Sequence, residues 1–503
     1  MRALAVVEGE MRYGEAVRTL VWVRGKDLRV ADHAPLADAA RASETIPLFV
    51  LDPYFFAPAR AREIPHRIQF LLESLAELAE SIARLGSRLI VVSGKSTEVV
   101  PEIARAVEAD RVIGFRWSEP IGQERDRRVT KALGAIPFDL YEGETLAAPG
   151  QVLTGSGTAF SVFTPFARAF AKSVDVAAPR KAPRSLPPLP KLPRSVTQRE
   201  VAVPSAAELG IERNEAIVRG GEAAARARLR AFLRGPGGRY DIGRDRMGEA
   251  GTSRLSQDLK FGTLSARTVW TTVDQALGEH PKARRAYLNE LVWREFAYDV
   301  LRSSPRVLDE PFKPAWRTFP WRADEAGWRA WVEGKTGYPV VDASARQLIE
   351  EGFVHNRARM ISASFLAKHL MIDFRRGEEH FMRFLTDGDW ASNDLGWQWS
   401  TGCGVDAQPW FRVFNPILQG EKFDGDGAYV RRWVPELAAI GNRWIHRPWE
   451  APAPELARAG VVLGETYPYP IVDHAYARGR FLAAGEGLRA AGRTNAGGRA
   501  KKE

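Results

Sequence analysis

The first 140 residues alternate short apolar runs with amphipathic stretches. Candidate strands are Thr19–Val23, Ile46–Leu51, Arg88–Val92, Arg111–Phe115 and Phe138–Tyr141. They are rich in β-branched and apolar residues, as parallel strands buried on both faces are. Between them Leu71, Leu75, Leu78, Ile82 and Leu85 recur at spacings of four, three, four and three, which lines one face of a helix. Gly86 stands at the expected stop. This alternation predicts an α/β domain built on an open, mostly parallel, Rossmann-like sheet, with a ligand crevice at the carboxyl ends of its strands. No GxGxxG fingerprint follows the first strand, so a dinucleotide role there is unsupported.

The pattern changes over residues 172–205. AAPRKAPRSLPPLPKLPRSV is Pro-rich and basic and reads as an extended connector with a solvated charge, not a packed element. From about Glu222 onward helical patterns dominate. The divisions expected are an N-terminal extension (1–15), an α/β domain (16–145), a connector (146–221), a helical domain (222–484) and a small, polar, basic tail (485–503) expected to be disordered.

Composition narrows the class. The chain has 503 residues, 45% hydrophobic and 27% charged, enough for a sizeable core. A single cysteine, Cys403, excludes an internal disulfide framework, a four-cysteine zinc site and an all-cysteine iron–sulfur cluster. It suits a reducing compartment, and the cytoplasm is the expected location. No run of 18 apolar residues suggests a membrane span, and the N-terminus lacks the apolar core of a secretory signal. The net charge of +10 is compatible with a polyanion partner without proving one. Of 15 tryptophans, 13 lie at Trp270 or later, which points to an aromatic core, an aromatic ligand site, or both.

Four constellations in the helical half carry candidate chemistry. Thr252, Ser253, Arg254, Leu255 and Ser256 follow Gly251, some dozen residues after Tyr240. Successive backbone N–H groups and hydroxyls with one Arg suit a phosphate or pyrophosphate, or else form an ordinary helix cap. In NELVWREF, Glu290, Trp293 and Arg294 stand at i, i+3 and i+4 on one helix face. In VHNRARM, Asn356, Arg359 and Met360 share a face while Arg357 points elsewhere. That face suits the polar edge and apolar surface of a base or flavin, and either helix alone could instead be a buried polar network. Asp387, Asp389, Asn393, Trp397 and Trp399 fall within thirteen residues. They could hold magnesium, but with no Walker loop to share it they better suit the wall around an organic cofactor, and no metal is expected.

The segments LVWVRGKDLRVADHAPL, SVFTPFARAF, GTSRLSQDLKFGTLS, NELVWREF, EGKTGYPVVDASARQL, HNRARMISASFLAKHLMIDF, DGDWASNDLGWQWSTGCG and FRVFNPILQGEKFD are long, ordered and specific. Through them the chain resembles the photolyase/cryptochrome family, and specifically the class I cyclobutane pyrimidine dimer DNA photolyases, from about Thr19 to about Ala484. The resemblance implies an antenna domain followed by an all-helical domain that binds FAD. Matching positions place Tyr240, Thr252, Ser253, Arg254, Leu255 and Ser256 at the phosphates and ribityl chain. Glu290, Arg294, Asn356, Arg359, Asp387 and Asp389 match the positions around the flavin and ribose, and Asn393 the one facing flavin N5. The matching pocket for a dimer flipped out of DNA is Glu290, Trp293, Asn356, Met360 and Trp399, with Arg244, Arg357 and Arg412 as the phosphate-binding rim.

Further consequences follow from the same resemblance. Trp397 and Trp321 match the inner and outer members of the family's three-tryptophan electron relay, but Phe374 occupies the middle position. Folate-binding members carry an Asn-Glu pair where this chain has Ile121 and Gly122, so a second antenna chromophore has no assigned identity: folate, deazaflavin, another flavin and an empty site are all open. Asn356 and Met360 stand where the (6-4) photolyases have histidines, and Asn393 where plant cryptochromes usually have Asp. The expected activity is light-dependent repair of cyclobutane pyrimidine dimers by reduced FAD, a carbon–carbon lyase reaction. The alternatives are a cryptochrome-like blue-light photoreceptor without repair activity and a light-independent nucleic-acid-binding flavoprotein. The expected partner is damaged DNA. No membrane or stable protein partner is implied, and a monomer is expected.

Overall fold

The computed structural model describes residues 17–499, with side chains to residue 488; the expected extension 1–15 lies outside the described residues. Five strands form the N-terminal sheet: β1 Arg18–Val23, β2 Glu44–Leu51, β3 Ile90–Ser93, β4 Arg111–Phe115 and β5 Phe138–Tyr141. All pairings are parallel, in the order β3-β2-β1-β4-β5. In β1 Leu20 pairs with Ile46 on one side and with Val112 on the other.

Side chains alternate across a strand, so each face needs its own cover. Val21, Val23, Phe49 and Val91 pack with Leu71, Leu75, Leu78 and Ile82 of helix α1, Pro65–Arg84. Leu20, Trp22, Ile46 and Val92 pack against Val99, Val100 and Ile103 of α2, Ser96–Ala106, and Val129 and Leu133 of α3, Pro120–Leu133. The order of connection reverses between β1 and β4, which opens a crevice at their carboxyl ends.

The connector is extended but packed, contrary to the reading from composition. Leu186, Leu209 and Ile211 are buried in the core beneath the sheet, and Leu186 N–H donates to Leu85 O at 2.8 Å. Prolines hold the strap straight, while the apolar residues spaced among them bury against the α/β domain. Its earlier part carries helix α4, Phe163–Ser173.

The helical half includes α5 (Pro281–Ser303), α6 (Asn356–Ser364), α7 (Phe374–Phe384), α8 (Trp390–Thr401) and α9 (His474–Arg499). Helix α9 runs through the start of the tail expected to be disordered. Phe481, Ala484 and Leu488 lie at helical spacing and pack on the large aromatic core, which supplies the tertiary contact that composition alone does not reveal.

The two halves meet around Lys26. Its ammonium lies 2.8 Å from Glu119 and 4.0 Å from Asp389 and also pairs with Glu144, all nearly buried. Beside it, Leu28 N–H donates to Phe261 O at 3.2 Å and Arg29 to Gly262 O at 2.9 Å. Gly262 has φ +63°, and a Cβ there would stand 1.9 Å from Lys26 O, so only glycine permits this approach.

Candidate functional site

Helix α5 brings Glu290, Trp293 and Arg294 to one end of the helical half. Glu290 is half-buried and bonded to Arg244 at 2.7 Å. Burial raises its pKa while Arg244 pulls it down. Trp293 stacks on Phe163 with centroids 3.6 Å apart and planes within 6°. Arg294 donates to Glu144 O at 2.9 Å and lies over the Tyr298 ring.

Tyr240 is buried against Phe232 and Tyr287. The Tyr287 hydroxyl contacts Ser253 Oγ at 2.9 Å. Arg254 has φ +49°, a left-handed conformation uncommon for arginine. Its Nη1 donates to Glu351 at 3.1 Å, while its buried Nε has no partner. The helix at Ser256–Phe261 receives no side-chain cap, so the Thr252–Ser256 segment is not an ordinary Ser/Thr cap. Thr252 is half-buried, Leu255 buried and Ser256 exposed.

Helix α6 starts beneath His355, whose Nδ1 accepts the Arg357 N–H at 3.2 Å. Burial holds that imidazole neutral, with its pKa lowered to about 4. Asn356 is exposed and lies 3.9 Å from Met360 Sδ. Arg357 also reaches Met360 Sδ, at 3.8 Å, and pairs with Asp245 at 2.6 Å. The helical spacing put Arg357 elsewhere, but its long side chain folds back along the helix. Arg359 turns instead to Asp387 at 2.8 Å. Thus the Arg244–Asp245 segment joins Glu290 of α5 to the Asn356–Met360 face of α6. Two of the three expected rim cations, Arg244 and Arg357, are already paired and half-buried, whereas Arg412 is exposed.

Asp389 begins α8. One of its oxygens accepts Ser392 N–H at 2.9 Å, and the other lies 2.6 Å from the Tyr298 hydroxyl. Burial would raise its pKa, but Lys26, Lys260 and Arg294 outweigh that and hold the carboxylate charged. One turn on, Asn393 is buried and its Nδ2 donates to Glu378 O at 3.2 Å. Trp397 is buried against α7, where Gly377 leaves room for it: a Cβ there would meet the indole at 2.2 Å. Trp399 is half-buried.

Comparisons with known proteins identify the family and the fold. The family model for DNA photolyase matches residues 19–188, and that for the FAD binding domain of DNA photolyase matches 287–486. The chain belongs to the DNA photolyase family. A deoxyribodipyrimidine photo-lyase of Agrobacterium fabrum is 40% identical over 92% of this chain and 97% of its own. The structure of a bacterial class III photolyase from Agrobacterium tumefaciens superposes with a TM-score of 0.87 at 37% identity, covering 97% of this chain and all of that one. A Synechocystis cryptochrome superposes with a TM-score of 0.84 at 32% identity, covering 93% of this chain and all of that one. The expected family is therefore shown, and its class I branch is not confirmed.

The donor set fits FAD. Arg254, Arg359 and Arg432 gather around Glu351, Asp387 and the Phe353 ring. Asp387 Oδ1 and Arg254 Nε are buried without partners, an acceptor and a donor suited to a polar ligand. Sequence reasoning missed Glu351 and Phe353, which directly precede the recognised VHNRARM segment. It also missed Phe163, which lies in the recognised SVFTPFARAF segment but had no role assigned, and Glu378, which comes from another helix and carries no local signal.

In the α/β domain, a crevice at the carboxyl ends of β1 and β2 is lined by Trp22, Phe49 and, beyond β4, Trp117, with Arg24, Arg67, Arg125 and Lys260 as its cations. Nitrogen atoms of Arg24, Arg67 and Arg125 lack partners there. Ile121 is exposed, and Gly122 packs so closely under Trp117 that a Cβ would clash at 2.5 Å.

Asp394, next to Asn393, is pushed up to about 8 by burial, and Glu378 well above the usual carboxylate range by burial and by Asp394. An unfolded Asp titrates near 4. The native state therefore binds more protons between about pH 4 and about pH 8, and stability falls as pH rises through that window. Asp394→Asn should flatten the fall of Tm with rising pH. An unchanged slope would place the proton uptake elsewhere.

Proposed function

We propose that this chain repairs cyclobutane pyrimidine dimers in DNA under light. The carrying observation is the joining of Glu290 to the Asn356–Met360 face through Arg244 and Asp245, beside the stacked indole of Trp293. Fold alone does not decide this, because a cryptochrome shares it. FAD, when bound and reduced, would supply the light-driven electron transfer that opens the cyclobutane ring. The protein's part is to bind, orient and exclude water. Thr252, Ser253, Arg254, Leu255, Ser256 and Tyr240 would hold the phosphate side of FAD. Arg294, Arg359 and Asp387 would set charge around the flavin and ribose, and Asn393, whose Nδ2 donates to Glu378 O, would lie at the flavin. Asp389 holds the start of α8 in place.

Trp293 and Trp399 form stacking walls for the extruded bases, Glu290 and Asn356 meet their polar edges, and Met360 fills the apolar gap. Arg412 contacts phosphate without reading sequence. A monomer in the cytoplasm is sufficient for this reading, and the free, buried Cys403 is compatible with a reducing compartment. The crevice at the carboxyl ends of β1 and β2 is the proposed seat of a second chromophore.

Beside the expected relay toward Trp321, a second chain of indoles leads out from Trp397. Phe374 lies 6.2 Å from Trp321 but is much harder to oxidise than an indole. Trp397 is also 6.1 Å from Trp331, which stacks 5.5 Å from the half-buried Trp328. The buried Trp331 N–H donates to the neutral Ser362 carbonyl at 3.2 Å, which cannot take its proton, so a hole would pass on. His380 lies against both rings and is kept neutral by burial, adding no opposing charge. Trp397, Trp331 and Trp328 therefore form the proposed path for photoreduction, with an external thiol as the final electron donor.

Chemically reduced protein should restore dimer-containing DNA under blue light and not in the dark; intact dimers after illumination would favour the photoreceptor reading. Trp293→Ala should weaken binding to dimer-containing DNA by about 5- to 100-fold through lost stacking. Arg412→Ala should weaken damaged and undamaged DNA alike, with a shallower salt dependence. Loss confined to damaged DNA in both variants would refute this division of roles.

Purified protein should release little folate on denaturation, because Ile121 and Gly122 offer no polar side chain to a pterin. Stoichiometric release would overturn that expectation. By transient absorption, Trp331→Phe should slow flavin photoreduction at least about tenfold, since each tenfold in rate is only about 1.4 kcal/mol of barrier. Trp321→Phe should leave it near wild type. The reverse result would restore the route through Phe374.

A further inference from the structure

Helix α4 lies in the connector, outside both domains expected from the sequence, yet its first residue touches the pocket. The Phe163 ring stacks on Trp293 at 3.6 Å with planes 6° apart. At that separation nothing can enter between the rings, so a base can stack on Trp293 only from the opposite face. Phe163 is itself fixed. It is buried, its edge meets Phe296 at 5.9 Å, and Phe166 behind it packs on Phe296 at 5.2 Å.

The backbone of Phe163 is held by the loop that follows α8. Its N–H donates to Asp406 Oδ2 at 3.1 Å. Asp406 follows α8 in the loop that leads to Trp410, Phe411 and Arg412, and it stands at φ +45°. A carboxylate at the first turn of α4 is favourably placed against the helix dipole. No side chain preceding α4 caps it, so the cap arrives from the rim loop. The unusual backbone of Asp406 is thus tied to the placement of an aromatic ring on the far wall.

We propose that Phe163, anchored by Asp406, is a positioning residue that fixes the plane and the accessible face of Trp293, and so sets the preference for a flipped pyrimidine dimer over undamaged DNA. The proposal rests on the repair reading above. It makes the connector part of the substrate site. It also links the rim loop, which meets the DNA backbone, to the wall that stacks the base.

The test measures affinity for a thymine-dimer duplex and for the same duplex undamaged, using flavin-loaded protein. Phe163→Leu should weaken dimer binding about 3- to 10-fold, in line with the worth of one aromatic pair. Undamaged DNA binding, flavin content and Tm should stay near wild type. Phe163→Tyr should retain the preference. Asp406→Gly removes the whole side chain and its carboxylate while suiting the positive φ, so it should lower dimer preference without unfolding the loop. In a Trp293→Ala background, Phe163→Leu should have no further effect on discrimination, since the two rings would act as a unit.

Equal losses for both DNAs, or additive effects in the double variant, would reduce Phe163 to a packing residue. Tighter dimer binding by Phe163→Leu would make it a gate that the substrate displaces, and would also overturn the proposal. If wild type shows no dimer preference, the repair reading falls and this proposal with it. If wild type prefers the dimer and Phe163→Leu does so equally, only the present proposal fails.

Discussion

The architecture depends on the burial of Lys26. A nearly water-free ammonium is costly unless anions surround it, and here Glu119 and Glu144 from the α/β side and Asp389 from the helical side do so. Burial alone would lower its pKa, but these carboxylates more than reverse that. Removing Lys26 would take from these buried carboxylates the cation they share. Asp389 is also the cap of α8, so the charge balance between domains fixes where Asn393 and Trp397 begin. The cofactor site is therefore supported from a domain that contributes little to its walls.

Around that anchor the site combines two kinds of order. Charged groups are paired across elements: Glu290 with Arg244, Asp387 with Arg359, and Arg357 with Asp245. Aromatic groups are stacked across elements, Trp293 on Phe163, and along one helix, Trp328 and Trp331 of Glu325–Val332. The first kind tunes charge and hydrogen bonding in a low-dielectric setting, where each unpaired group matters. The second supplies flat, rigid surfaces at little entropic cost. A photoreceptor and a repair enzyme can share both, so the distinction lies in the residues that face the substrate.

The sheet was legible because parallel strands buried on both faces read as continuous apolar runs, and all five expected strands appear within two residues of their predicted bounds. The leucine-rich α1 was legible from its period, and Gly86 confirms its stop with φ +85°. Composition misled at the connector and at α9, because Pro-rich and Gly-rich segments can pack when a few spaced apolar residues find a core. Leu186 and Leu488 do so.

By itself the sequence determined the strand and helix types, the order of the domains and the chemical groups available to the site, since these depend on local period and residue type. Only the tertiary structure decided their partners. Arg244 turned to Glu290 and Asp389 to Lys26. Phe163 came to back Trp293, and Trp397 acquired Trp331 as a neighbour. Each of these contacts joins segments far apart along the chain. Their geometry follows from how whole helices pack and from which buried charges must be neutralised, and neither is encoded in any local pattern of residues.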